Sequence, residues 1–141
     1  MKTLNQTMLI LTILIVGITT SFASENAVTD KVNQYLNAVK AKEASTLDDF
    51  VNSEANFIVI NNILGKKELL SENDYLKDVK TGKIGLWVAS SEIKFVDLKD
   101  KLAVAYIESE NKKLIRKEYL TLVLEDGNWE IVNSVSSLSK K

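Results

Sequence analysis

The alternation of residues on either side of Asp126-Gly127 constrains this chain more than any other feature. If those two residues form a tight turn, Leu124 faces Trp129, Leu122 faces Ile131, Leu120 faces Asn133 and Glu118 faces Val135. That register gathers Leu120, Leu122, Leu124, Trp129, Ile131 and Val135 on one face of a hairpin. A slip of one residue would scatter them, so burial selects the register. Something must then cover that face.

The cover comes from earlier in the chain. Val28, Val32, Tyr35, Leu36 and Val39 recur at helical spacing, which predicts an amphipathic helix over 25–43. Ser45 followed by Asp48 reads as the cap of a short second helix, with Leu47, Phe50 and Val51 as its apolar side. Phe57 to Ile60 is β-rich and runs into Asn61-Asn62, a turn pair. Residues 66–70 read as a partner strand. Ser71 with Asp74 opens a third helix through about Val79, ended by Gly82 and Gly85. Strand-like segments then follow at about 86–97, 101–110, 113–125 and 128–136. In segment 101–110, Leu102, Val104 and Tyr106 share one side and Ala103, Ala105 and Ile107 the other; the sequence leaves open which faces inward. Short links between successive strands predict an antiparallel meander. The expected class is α+β, with N-terminal helices packed on a curved antiparallel sheet.

Residues 1–23 read as a signal peptide. Lys2 supplies the positive start, Met8 to Ile18 the apolar run, and Ser21-Phe22-Ala23 a small-residue cleavage site before Ser24. The run is shorter than the ~20 residues that span a bilayer, so no stable membrane anchor is expected after cleavage. A periplasmic or secreted product is expected, with residues 24–141 forming one domain. The whole chain carries a net charge of −1, which gives no footprint for nucleic acid. Lys140-Lys141 reads as a frayed, solvated end. There is no Cys, no Pro and no His. Without His or Cys, zinc, copper and haem sites and the usual hydrolase triads lack their ligands and bases, and no cofactor is expected. Glu108 and Glu110 beside Asn111 read as a solvated hairpin tip, because no calcium-loop spacing surrounds them.

Three stretches, taken in order, resemble the nuclear transport factor two-like superfamily: the long helix followed by a short capped one, Phe57 through Gly65 leading to a third helix, and the closing hairpin Tyr119 through Val132 with its Asp126-Gly127-Asn128-Trp129-Glu130-Ile131-Val132 ending. The resemblance is nearest to an exported, lumazine-binding-like bacterial branch. It implies a cone-shaped, cystatin-like arrangement with a pocket at the open end. Members include isomerases, cyclases, dehydratases and non-enzymatic binding modules, so the fold leaves function open. Isomerase and cyclase branches place an acid–base Asp at the end of the first long strand; the matching positions here hold Asn61 and Asn62, which take no proton at neutral pH. Dehydratase members use a His, which is missing.

Arg116 is the sole arginine, and the hairpin register sets it on the core side with Glu118 and Asn133. Either these three ring a pocket mouth, with Arg116 fixing a ligand carboxylate or phosphate through its planar fork, or Arg116 and Glu118 pair in solvent beyond the packed region. Trp87 and Tyr106 are the aromatics selected to line the pocket, against the alternative that they pack as core. Tyr119, Val123 and Val132 on the outer face suggest a homodimer interface, or scattered apolar exposure. The leading expectation is an exported module that binds an unidentified small molecule, without catalysis. The alternatives are a cofactor-independent isomerase or cyclase with Glu118 as base, and a structural cell-envelope protein whose cone is filled.

Overall fold

The computed structural model describes residues 23–141; the expected leader, apart from Ala23, lies outside the described residues. Ser24 caps the first helix, α1 (Glu25–Ala41), its hydroxyl accepting from the Ala27 amide at 3.1 Å. Val28, Val32, Tyr35, Ala38 and Val39 form the buried stripe. Lys42, with φ of 61°, closes the helix. The second helix, α2 (Ala44–Asp48), starts two residues earlier than expected. Glu43 is its N-cap and makes no side-chain capping bond, so the role expected of Ser45 is not realised. Phe50 lies just past this helix and Val51 opens a strand.

That strand, β1 (Val51–Asn61), is longer than Phe57–Ile60. Asn61 ends it, its Oδ1 accepting from the amides of Ile63 and Leu64 at 3.0 and 3.1 Å. This side-chain turn feeds β2 (Lys66–Ser71). Ser71 then caps α3 (Glu72–Thr81), accepting from the Asp74 amide at 3.3 Å, and Gly82 ends it with φ of 78°. The expected strand from residue 86 begins later, as β3 (Ser90–Lys99). The intervening residues 82–89 form a strap. Gly85 sits in it with φ of 90°, so close to α1 that a Cβ would lie 2.5 Å from Val39 Cγ1. Strands β4 (Leu102–Glu110), β5 (Leu114–Glu125) and β6 (Asn128–Lys140) complete the chain.

The six strands form one curved, open sheet in the order β2-β1-β6-β5-β4-β3. It is mixed rather than wholly antiparallel, because β1 runs parallel to β6. The ends of the meander return beside the first strand, which places β5 and β6 in the middle, under the helices. Ala103, Ala105 and Ile107 are the inward side of β4, leaving Leu102 and Tyr106 outward. Small alanines there let α1 approach.

The Asp126-Gly127 turn has φ of 47° and 80°, the doubly positive geometry of a tight hairpin turn. Leu124 pairs with Trp129 and Leu122 with Ile131, as expected. Beyond them the register shifts. Thr121 pairs with Asn133, Leu120 with Ser134 and Glu118 with Ser136. Val132 is thus an extra residue, a β-bulge that reverses which side of β6 faces the core. The expected partners of Leu120 and Glu118, Asn133 and Val135, are turned away. The end of β6 is ordered rather than frayed: Lys140 pairs with Leu114, and the Lys141 amide donates to Lys113 O at 3.0 Å.

Candidate functional site

The alternation of β5 sends Arg116, Glu118, Leu120 and Leu122 to the same buried side. Two of these are charged, and both are deeply enclosed, at 8% and 2% exposure. Buried charges persist only when paired and hydrogen-bonded. Arg116 Nη2 donates to Glu118 Oε1 at 2.7 Å. The same oxygen accepts from Ser134 Oγ at 2.6 Å and from the Tyr35 hydroxyl at 2.8 Å. The bulge explains Ser134: without it, Asn133 would stand opposite Leu120 in its place. Tyr35 spends its single proton on Glu118, so its oxygen accepts from the Tyr75 hydroxyl. Tyr75, from α3, stacks on Phe57 of β1 with ring centroids 3.8 Å apart. The network therefore ties α1 and α3 to β5, β6 and β1.

Electrostatics follow from this enclosure. Burial acts against the charge of Arg116, but Glu118, Tyr75 and Tyr35 more than offset it, and its pKa is raised above the ordinary value. Burial, with Glu118 and Tyr75 beside it, pushes the Tyr35 phenol well up. Burial is also the main cause that lifts Tyr75 to about 12. Arg116 Nε is buried with no hydrogen-bond partner.

On the far side of Arg116 lies a cavity of about 330 Å³. Its apolar wall is Val59 of β1, Leu64, Leu70 of β2, Leu138 of β6, and Ile84 and Trp87 of the strap. Ser136 and Arg116 supply polar lining, and Asn61 joins from the end of β1. At the rim, Lys83 binds Asp78 at 2.8 Å and Glu68 at 3.5 Å. The strap is tied down by Asn111 Nδ2 on Trp87 O at 3.1 Å, and by Gly85 against Val39. An apolar chamber with a few polar groups is the general form of a small-molecule site.

The structure brings Arg116 and Trp87 to one cavity. It sets Glu118 behind Arg116, where it does not border that cavity. The surface pairing considered for Arg116 and Glu118 is corrected: they do pair, but inside. Tyr106 is not in the cavity. It lies on the outer face, stacked on Tyr119 at 4.7 Å, with its hydroxyl donating to Glu108 Oε1 at 2.6 Å. Asn133 leaves the Arg116 side because of the bulge; it donates from Nδ2 to Asn56 O at 3.3 Å. Ser134, Ser136 and Tyr75 were missed. One signal for the serines was present: Leu138 is in phase with Ser134 and Ser136, and out of phase with Trp129 and Ile131. Among the described residues, no group of three or more Asp or Glu side chains could hold a metal ion.

Residues 23–137 match the model of a family described as "Putative lumazine-binding". Solved structures share the fold. An NTF2-like protein of unknown function from Methylobacillus flagellatus is 22% identical, with a TM-score of 0.71 over 84% of this chain and 97% of that one. A second, from Silicibacter pomeroyi, is 18% identical, with a TM-score of 0.68 over 81% and 94%. A third, from Cytophaga hutchinsonii, is 14% identical, with a TM-score of 0.67 over 82% and 98%. No curated protein matches the chain.

Proposed function

Since the chain belongs to the lumazine-binding-like family of the NTF2-like superfamily, we propose that it is a binding module for a small, partly apolar molecule held in the cavity between β1, β2, α3 and the strap. The observation that carries this reading is the cavity itself: about 330 Å³, walled by Val59, Leu64, Leu70, Ile84, Trp87 and Leu138, with Arg116 at its floor. That volume suits a ligand of one or two fused rings. Trp87 supplies an aromatic wall for such a ring. The family's description mentions lumazine, a flat two-ring heterocycle, which makes it a natural first probe. Quenching of Trp87 fluorescence on titration, absent in Trp87→Phe, tests the reading; no response to any ring system of this size would remove it.

An isomerase using Glu118 would need that carboxylate to touch substrate; the binding reading is supported over it because Glu118, 2% exposed, is not part of this cavity's lining. The cavity supports a bound ligand over a filled cone. Export remains part of the proposal. It is supported by the leader-like residues 1–23 and by Ser24, which after the expected cut would stay in place as the cap of α1. No helix among the described residues is long and apolar enough to cross a membrane. We also propose a homodimer through the outer sheet face, where Phe95, Tyr106 and Tyr119 form a contiguous aromatic cluster. Phe95 and Tyr119 are 47% and 48% exposed there, beside Leu102 at 50%.

A further inference from the structure

Resting on the cavity as the binding site, we propose that the ligand's inward polar end is an uncharged hydrogen-bond acceptor, a carbonyl or ring nitrogen, and not a carboxylate or phosphate. Arginine at the floor of a pocket ordinarily suggests an anion. Here the positive charge is already answered. Glu118 Oε1 lies 2.7 Å from Arg116 Nη2, and both side chains are more than nine-tenths buried. A second carboxylate beside this pair would leave the desolvated floor with one negative charge in excess, and an unpaired buried charge is costly.

The remaining charges do not alter the balance. Lys83 at the rim is bonded to Asp78 and to Glu68. Lys66 also lines the cavity, and counting Glu118 behind the floor, cations and carboxylates are equal in number around the chamber. Balance of charge does not mean absence of donors. A guanidinium has five N–H groups, and Arg116, which borders the cavity, places Nη2 on Glu118. The floor thus offers a hydrogen-bond donor group while it has no need of a further charge. A neutral acceptor satisfies the first condition without violating the second.

The test uses matched pairs: one- and two-ring aromatic amides and the carboxylates of the same rings, measured by ligand-observed NMR against the chain spanning residues 24–141 at pH 7.5. The amide of each binding pair is expected to bind more tightly by at least about tenfold. In Glu118→Gln the floor gains a net positive charge, and the preference is expected to move toward the carboxylate by a similar factor. If that variant does not fold, the ratio in the unmodified protein still decides. Carboxylates that bind as well as or better than their amides would overturn this inference and leave the cavity reading standing. If no member of either series bound, the cavity reading and the inference would fall together.

Discussion

Arg116 and Glu118, two residues apart on β5, form an ion pair at 2.7 Å on the inward face of the sheet, where both are deeply enclosed. The pair gathers the Tyr35 hydroxyl and Ser134 around one carboxylate oxygen, with Tyr75 joined through Tyr35, and it closes the floor of the cavity. Its energetic consequence is asymmetric. Glu118→Leu strands a buried guanidinium and should cost about 3–5 kcal/mol. The double variant Arg116→Met/Glu118→Leu should recover the part of that loss due to the stranded charge, while the buried Tyr35 and Ser134 hydroxyls still lose their acceptor. Urea unfolding of the single and double variants measures the difference.

Tyr35 and Tyr75 make stability fall at high pH. Their phenols have folded pKa values raised above the ordinary 10.0, that of Tyr75 to about 12, mainly by burial. The unfolded chain therefore ionises first. The stabilisation is complete below pH 10 and is lost as pH climbs toward and beyond 12. Thermal midpoints should drop steeply across that window, and Tyr75→Phe should flatten the drop. An unchanged slope in Tyr75→Phe would contradict the buried hydroxyl chain.

The strap depends on one glycine. Gly85→Ala would place a methyl 2.5 Å from Val39 Cγ1 and 2.8 Å from Val39 O, at φ of 90°. A loss of about 2 kcal/mol or more is expected from strain and overpacking together. Gly65→Ala also has positive φ, of 63°, but meets nothing within 4 Å, so about 1 kcal/mol is expected. Equal losses in the two variants would mean that contact with α1 is not what fixes the strap.

The outer aromatic cluster predicts self-association. Tyr119→Glu and Phe95→Glu alter half-exposed positions outside the buried core, so each should convert a dimer to a monomer in sedimentation velocity with little change in thermal midpoint. A monomeric parent protein would contradict the proposed face.

Most of the architecture was legible because burial imposes periodicity. The helical stripe from Val28 to Val39, the Ser71 cap and the Asp126-Gly127 hairpin all follow from local rules that the tertiary fold respects. The pairing of β1 with β6 was not legible: it joins distant segments in parallel, and no local signal encodes it. The site was half legible. Arg116 and Glu118 were placed inward by alternation alone. Their real neighbours were not found, because Val132 bulges and moves Ser134 and Ser136 into the places expected for Asn133 and Val135. Tyr106 was misassigned because β4 has apolar residues on both sides, and alternation cannot choose between two apolar faces. The small side chains of Ala103 and Ala105 marked the side against which α1 packs.

The central claim is that the cavity beside Arg116 holds a small molecule. The direct measurement is saturation-transfer NMR with a panel of neutral one- and two-ring heteroaromatics, lumazine included, on the unmodified protein and on Leu70→Trp. Leu70 lines the cavity from the edge strand β2, so an indole there should fill the chamber without disturbing the centre of the sheet. Saturable binding by the unmodified protein, lost in Leu70→Trp, is the predicted result. Binding that persists undiminished in Leu70→Trp, or no binding by any member of the panel, would contradict the claim.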